Sequence, residues 1–238
     1  MHLSKAIFIA ALISASPSLA VNLITNGSFE DGFSGFTHVN AAGLRNPAII
    51  ITYGSTASYA GGGAYGEAVA PDSVASADPD AVGTHAAYFV DDSATGEALQ
   101  QLTLLQPGNY EIGFSAYLPQ NGFNNPKDAT FSGSIIGVTL ANFKLSTGTA
   151  KTWLNYNGVA QVVTAGYYLT SFDFTSNGAY AKDVVIDQVY VVPTERTASV
   201  VLGPPTVAVP EPATWALLIA GFIMVGVAAR RRRVTVAA

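Results

Sequence analysis

Between residues 21 and 195 no stretch keeps a 3.6-residue apolar period, while several keep a period of two. The clearest runs from Asn109 to Leu118. Tyr110, Ile112, Phe114, Ala116 and Leu118 alternate with Asn109, Glu111, Gly113, Ser115 and Tyr117. Alternation turns every second side chain to the same face, so this segment reads as a half-buried strand. Gln106-Pro107-Gly108-Asn109 before it places Pro and Gly at the centre of an expected type II turn. Leu102 and Leu104 mark the preceding strand, and Tyr168, Thr170, Phe172 and Phe174 mark a later one. Asn157-Gly158, between Thr152–Tyr156 and Val159–Val163, predicts a two-residue hairpin turn. The β-branched run Val184–Val192 closes the domain. Residues 55–83, rich in Gly, Ala, Ser and Asp, read as long loops on one edge. Many short strands joined by Gly, Asn and Pro turns predict an all-β fold, a sandwich or jelly roll.

The two ends follow different rules. The first 20 residues carry Lys5, an apolar run from Ala6 to Ala15, and small residues at Ser18 and Ala20. This is the pattern of an export signal cleaved after Ala20. Near the other end, Ala213 to Ala229 is uncharged and mostly apolar, and Arg230, Arg231, Arg232 and Arg233 follow it. At 1.5 Å per residue a helix over that run spans about 25 Å, close to the thickness of a bilayer core. Arginines retained inside give an N-out, C-in orientation. Residues 196–209, with Gly203-Pro204-Pro205, read as an extended linker.

Charge and cysteine content narrow the function classes. Of 11 basic residues, Lys5 and the four arginines lie in the ends; of 16 acidic residues, only Glu211 does. The middle segment keeps 6 and 15, a net charge of −9. Nucleic-acid binding needs Lys and Arg against phosphate, so that class is excluded. The chain has no cysteine, so an exported domain must be held by its own core or by a metal, and thiolate chemistry is absent.

Two resemblances bear on this reading. Val209-Pro210-Glu211-Pro212, then Trp215, the apolar span, Gly221 and the arginines, resemble the PEP-CTERM sorting signal of exosortase substrates. That resemblance implies an exosortase-type processing protease as partner, passage through the inner membrane, cleavage near Pro-Glu-Pro, and a final place at the cell surface among extracellular polysaccharide. The middle segment resembles galactose-binding-like jelly rolls, including carbohydrate-binding modules. The matching residues are the opening Asn22-Leu23-Ile24-Thr25-Asn26-Gly27-Ser28-Phe29-Glu30-Asp31-Gly32, the stretch Leu99–Phe114, and the closing Val185-Ile186-Asp187-Gln188-Val189. The last departs from the usual pattern at Gln188. The expected layout is a signal helix over 1–20, a single jelly-roll sandwich over 21–195, a linker over 196–209, and a sorting tail over 210–238 with one transmembrane helix.

The same resemblance implies a structural calcium ion. Glu30 and Asp187 would supply carboxylates, and carbonyls around Gly27 and Ser28 would complete the oxygen shell. The alternative is that both carboxylates bond loop amides. A sugar site needs aromatic faces with polar edges. Tyr53, Tyr59, Tyr65 and Tyr88, and Trp153, Tyr156 and Tyr167, are the aromatics available, each equally able to fill a core. A concave aromatic-lined face would favour sugar binding, and a flat polar face a structural role. Asp78-Pro79-Asp80 and Asp91-Asp92 read as solvated loop residues. Only His38 and His85 remain in the middle segment, and no G-x-S-x-G, HExxH or phosphate loop occurs. The expected function is non-catalytic association with extracellular polysaccharide. The rivals are a structural or adhesive matrix protein and a hydrolase of the envelope polymer.

Overall fold

The computed structural model describes residues 21–208, apart from 41, 43, 45, 56–57, 60–62, 65–66 and 93–95. The expected signal helix and the sorting tail lie outside the described residues. Two sheets stack face to face. The first, sheet A, has the order β1 (Thr37–Val39), β6 (Glu97–Leu105), β11 (Gly166–Thr175), β8 (Thr130–Ile135), β9 (Val138–Lys144), and β14 (Val207–Ala208) pairs with β11 off this path. The second, sheet B, has the order β13 (Val200–Val201), β10 (Trp153–Val162), β7 (Gly108–Tyr117), β12 (Val184–Pro193), β5 (His85–Phe89), β2 (Ile49–Thr52). A small ribbon joins β3 (Ser58–Tyr59) to β4 (Gly63–Ala64). Among the described residues there is no α-helix, and no helix is long and apolar enough to cross a membrane.

The alternating residues do what their period requires. Tyr110, Ile112, Phe114 and Ala116 face the core from β7, and Tyr168, Phe172 and Phe174 meet them from β11. Phe114 and Phe172 pack edge to face at 5.0 Å, and Phe89, Phe131 and Phe143 extend the cluster. Aromatic pairs of this geometry add to the area they bury.

Four expectations change. Asn157-Gly158 makes no turn. Both sit inside β10, opposite Gly113 and Ile112 of β7, because ten consecutive pairs along these strands outweigh one local turn preference. The tight hairpin falls at Ile136-Gly137, between β8 and β9, with φ of 47° and 87°. Ile136 is fully buried there, and its N–H donates to Thr170 Oγ1 at 3.2 Å. Gly108 takes no positive φ, so Gln106–Asn109 is not a type II turn; it carries the chain from sheet A to sheet B. The third change concerns 67–83, which lies across the outer face of sheet B rather than on an edge. Ser115 and Tyr117 are therefore buried as fully as the core-facing side of β7. The fourth is the linker: Val200–Val201 pairs in parallel with Ala160–Gln161, and Val207–Ala208 pairs antiparallel with Gly166–Tyr167. The sandwich thus continues to Ala208.

The opening segment is clasped onto a β-bulge of β12, where the register shifts between Asp187 and Tyr190 and Gln188 has φ +50°. Asn22 is buried there with all its valences used. Its Oδ1 accepts from Ile24 and Val191 N–H, both at 3.0 Å. Its Nδ2 donates to Val189 O at 2.8 Å and Asp78 Oδ1 at 3.0 Å. Gly27 lies so close to the bulge that an added Cβ would sit 2.0 Å from Val189 O. From the other sheet, Gln101 exchanges two bonds with the Thr25 backbone, at 2.8 and 3.0 Å. Asn22→Ala strands a buried carbonyl and two buried amides, and Gly27→Ala pushes the opening segment off the bulge. Each should cost about 2–4 kcal/mol in chemical denaturation. An unchanged denaturation midpoint in either variant would show that this clasp does not hold the sandwich.

Candidate functional site

The residues expected to share a cation have separate partners. Glu30 Oε1 accepts from Thr84 and His85 N–H, both at 2.7 Å, and its Oε2 meets His85 Nδ1 at 2.8 Å. Burial pushes this carboxyl up, but the bonds from His85 and Thr84 outweigh it and hold Glu30 below the ordinary carboxylate range. Asp187 turns to Tyr53, whose hydroxyl donates to Oδ2. The Gly27 carbonyl accepts from Val189 N–H at 3.0 Å. Ser28 lies in the same turn. Glu30 thus takes the alternative expected for it, bonding to loop amides, and Asp187 bonds a tyrosine. No group of three or more His, Asp or Glu among the described residues could hold a metal.

Asp187 also belongs to an acidic group under residues 67–83. Burial pushes it up to about 8, against the pull of the bonds from Tyr53 and the Gln188 amide, and Asp72 and Asp78 add repulsion. Burial likewise raises Asp72, and raises Asp78 to about 6. Asp78 was expected in solvent; it is buried because it accepts the Asn22 amide. Asp91 is buried as well, and Asp92 accepts from the Ala181 N–H.

The segment 67–83 also covers three of the candidate sugar-binding aromatics, Tyr53, Tyr88 and Trp153. Trp153 donates from Nε1 to Ala70 O at 2.8 Å, and Gly54 N–H donates to Val69 O at 2.8 Å. Val69 fills a second cluster with Tyr88, Tyr117, Trp153 and Val185, and Tyr53 packs against it. Tyr53 and Trp153 meet edge to face at 6.0 Å. Tyr156 stacks at 5.4 Å on Phe114, inside the first cluster. Tyr167 stands exposed on β11. Tyr59 lies on β3, and Tyr65 falls outside the described residues.

The uncovered outer face belongs to sheet A. On it, Gln100 Nε2 donates to Ser171 Oγ at 3.2 Å, and Ser171 Oγ donates to Asp173 Oδ2 at 2.9 Å. Gln100, Asp173, Asn40 and Thr175 line a shallow cleft of about 290 Å³ between β1, β6 and β11. Ser132 and Ser134 continue the polar surface across β8 in register with Asp173 and Ser171. An amide, a hydroxyl and a carboxylate fixed in line can accept and donate to neutral hydroxyls without a net positive charge. None of these residues was singled out from the sequence. Their signal was the outward half of an alternation whose inward half is Leu99, Phe172 and Phe174; which strands lie side by side is not written in it.

The two histidines do not complete a nucleophilic relay. His38 Nε2 meets the buried Glu97 at 2.5 Å, and Glu97 Oε2 also accepts from Ala48 N–H at 2.9 Å. His85 Nδ1 faces both Glu30 and, at 3.3 Å, Thr84 Oγ1. A relay needs the nucleophile and the orienting carboxylate on opposite nitrogens of the imidazole base. Glu97 and Asp173 both border the cleft, but adjacent registers on β6 and β11 turn them to opposite faces of the sheet.

Residues 208–233 match the PEP-CTERM protein-sorting motif. The motif marks proteins that are exported and sorted to the cell surface by an exosortase, and this chain carries it. No curated protein matches the chain. Among solved structures, TmCBM61 in complex with beta-1,4-galactotriose is similar at 18% identity, with 73% of this chain and 99% of that one covered and a TM-score of 0.45. A Family 16 carbohydrate binding module is similar at 16% identity, over 72% and 99% of the two chains, with a TM-score of 0.40. A cyclase from Fischerella sp. TAU is similar at 14%, over 75% and 99%, with a TM-score of 0.44. At these values nothing about ligand or chemistry passes to this chain.

Two outcomes follow from the buried acids and from Glu30. The fold binds protons at Asp78 and Asp187 that the unfolded chain has released, between the ordinary aspartate value near 4 and about 8. Stability contributed by these groups is present at acid pH and lost as pH rises through that window. The melting temperature should fall from pH 5 toward pH 8, and Asp187→Asn, neutral throughout, should flatten the fall; an equally steep fall in the variant would remove Asp187 as its source. A chelator should leave the melting temperature unchanged. A drop that disappears in Glu30→Ala would show that the Glu30–His85 pair opens for calcium.

Proposed function

We propose that this chain is a non-catalytic, surface-sorted jelly-roll module that associates with extracellular polysaccharide through the open face of sheet A. The observation that carries the reading is the fixed row Gln100–Ser171–Asp173, presented on the sheet face that 67–83 does not cover. The sorting motif supplies the setting, since it delivers the domain to the surface where such polymers lie. The middle segment's net charge of −9 suits neutral sugars and disfavours polyanions. Recognition here is by hydrogen bonds from pre-oriented groups, not by stacking. The weak affinity of such single contacts suits a protein that meets a polymer at many copies.

The test is a glycan array probed with the full chain. Selective binding to a neutral polysaccharide is expected, and Asp173→Ala or Gln100→Ala should weaken it about tenfold, equivalent to about 1.4 kcal/mol. The melting temperature should not change. Binding that survives both substitutions would place the sugar elsewhere.

A second reading is favoured by one observation: Tyr53, Tyr88 and Trp153 are sealed under the chain's own segment, and no aromatic ring lines the cleft left open on sheet A. On that reading the protein is a structural or adhesive component with no sugar pocket. A folded chain that binds no glycan would establish it. For either role the tail is expected to be removed at the surface, so a mass spectrum of the mature protein should lack Arg230 to Arg233.

A further inference from the structure

The face that carries the polar row changes character along its strands. At the end away from the cleft, Leu104, Tyr167 and Val207 stand side by side across β6, β11 and β14. Leu102 and Leu169 form the next row. Directly paired residues share a face, so these five make one patch. Leu102, Leu104, Tyr167 and Val207 are between 38% and 50% exposed. Val163, in the turn between β10 and β11, adds to the same end. Gln100–Leu105, Gly166–Ser171 and Thr206–Ala208 contain no charged residue. Clustered exposed apolar side chains mark a surface with a partner.

The position of the patch says which partner. Val207 sits on β14, and β14 is the last described element before the tail. The uncharged span begins at Ala213, five residues beyond Ala208. An extended chain of that length reaches about 17 Å. Wherever the span enters a bilayer, this end of the sandwich is held within that distance of the headgroups. We propose that the patch Leu102, Leu104, Tyr167, Leu169 and Val207 rests on the lipid surface while the uncleaved tail holds the chain in the membrane. This rests on the sorting-tail reading and adds the face by which the domain docks. A tyrosine beside leucines and a valine suits the interface, where an amphipathic ring can keep its hydroxyl wet. The acidic domain has no basic cluster here, so the attraction is apolar and the lipids are zwitterionic. The cleft residue Asp173 lies six positions from Tyr167 on β11, about 20 Å farther along the strand. Asp173 is thus the member of the polar row farthest from the seat, while Gln100 and Ser171 directly follow Leu102 and Leu169.

Because the chain has no cysteine, single substitutions place single labels. Leu104→Cys, Leu102→Cys, Tyr180→Cys and Gly221→Cys, each in the full chain, would be labelled with an environment-sensitive fluorophore and reconstituted in phosphatidylcholine vesicles containing a lipid-borne quencher. The labels at 102 and 104 should be quenched severalfold more than the label at 180, which reports an exposed site outside the patch. The same protection should persist in nanodiscs loaded at one chain per disc. Quenching at 221 with none at 102 and 104 overturns the docked face and leaves the tail reading intact. No quenching at 221 overturns both. Protection at 102 and 104 that vanishes at one chain per disc shows that the patch covers a second copy of the chain, and overturns the proposal in favour of self-association.

Discussion

Asn22 joins parts of the chain 167 residues apart, and the seating of the opening segment on sheet B runs through that contact. Its amide satisfies the backbone of the β12 bulge at Val189 and Val191 and holds Asp78 at the same time. Because Asp78 lies in the segment that crosses sheet B, one side chain sets three things together. It places the opening segment, it keeps the bulge open at Gln188, and it anchors the cover over Trp153 and Tyr88. Buried amides of this kind are costly when half-satisfied and specific when fully satisfied. The close approach of Gly27 to Val189 is the steric counterpart of the same clasp.

The cover has an electrostatic consequence. Closing 67–83 over sheet B takes Asp72, Asp78 and Asp187 out of water together with Tyr53 and Tyr190. Burial raises all five, and the mutual repulsion of the acids reinforces the rise in Asp187. Between the ordinary aspartate value near 4 and about 8 the fold therefore favours a proton on Asp187 that the unfolded chain has released. Sheet A lacks such a cover, so its polar groups stay partnered with one another and open to ligands, and its apolar end stays open as well.

Much of this was legible from the residues. The alternation from Asn109 to Leu118 located β7 and named its core-facing side. The tail was legible because its order of motif, apolar span and arginines is linear. What failed did so because it depended on neighbours distant in sequence. Asn157-Gly158 is a strong local turn signal, yet it lies in the middle of a strand paired residue for residue with β7. Ser115 and Tyr117 sit on the side of β7 expected to face water, and only the position of 67–83 explains why they are dry. Gln100, Ser171 and Asp173 come from two strands whose adjacency is set by the sheet order, so nothing in either strand alone marks them as a row. The partners that Glu30 and Asp187 take, His85 with Thr84 and Tyr53, likewise lie far off in sequence and are not written in the opening and closing motifs.

The two short strands after residue 195 have a mechanical meaning. The tail does not leave from a loose end of the sandwich; it leaves from β14, which is laid along β11 near the middle of sheet A, with Gly166 of β11 tucked against Pro205. A load applied through the tail, as when flow pulls on a protein held at a cell surface, meets β14 first, then the buried Leu202, then β13 on the opposite sheet. The two strands are two-residue fasteners that can release and re-form before any of the ten-residue strands of the sandwich is strained. The segment between domain and tail thus works as a buffer in series with the core.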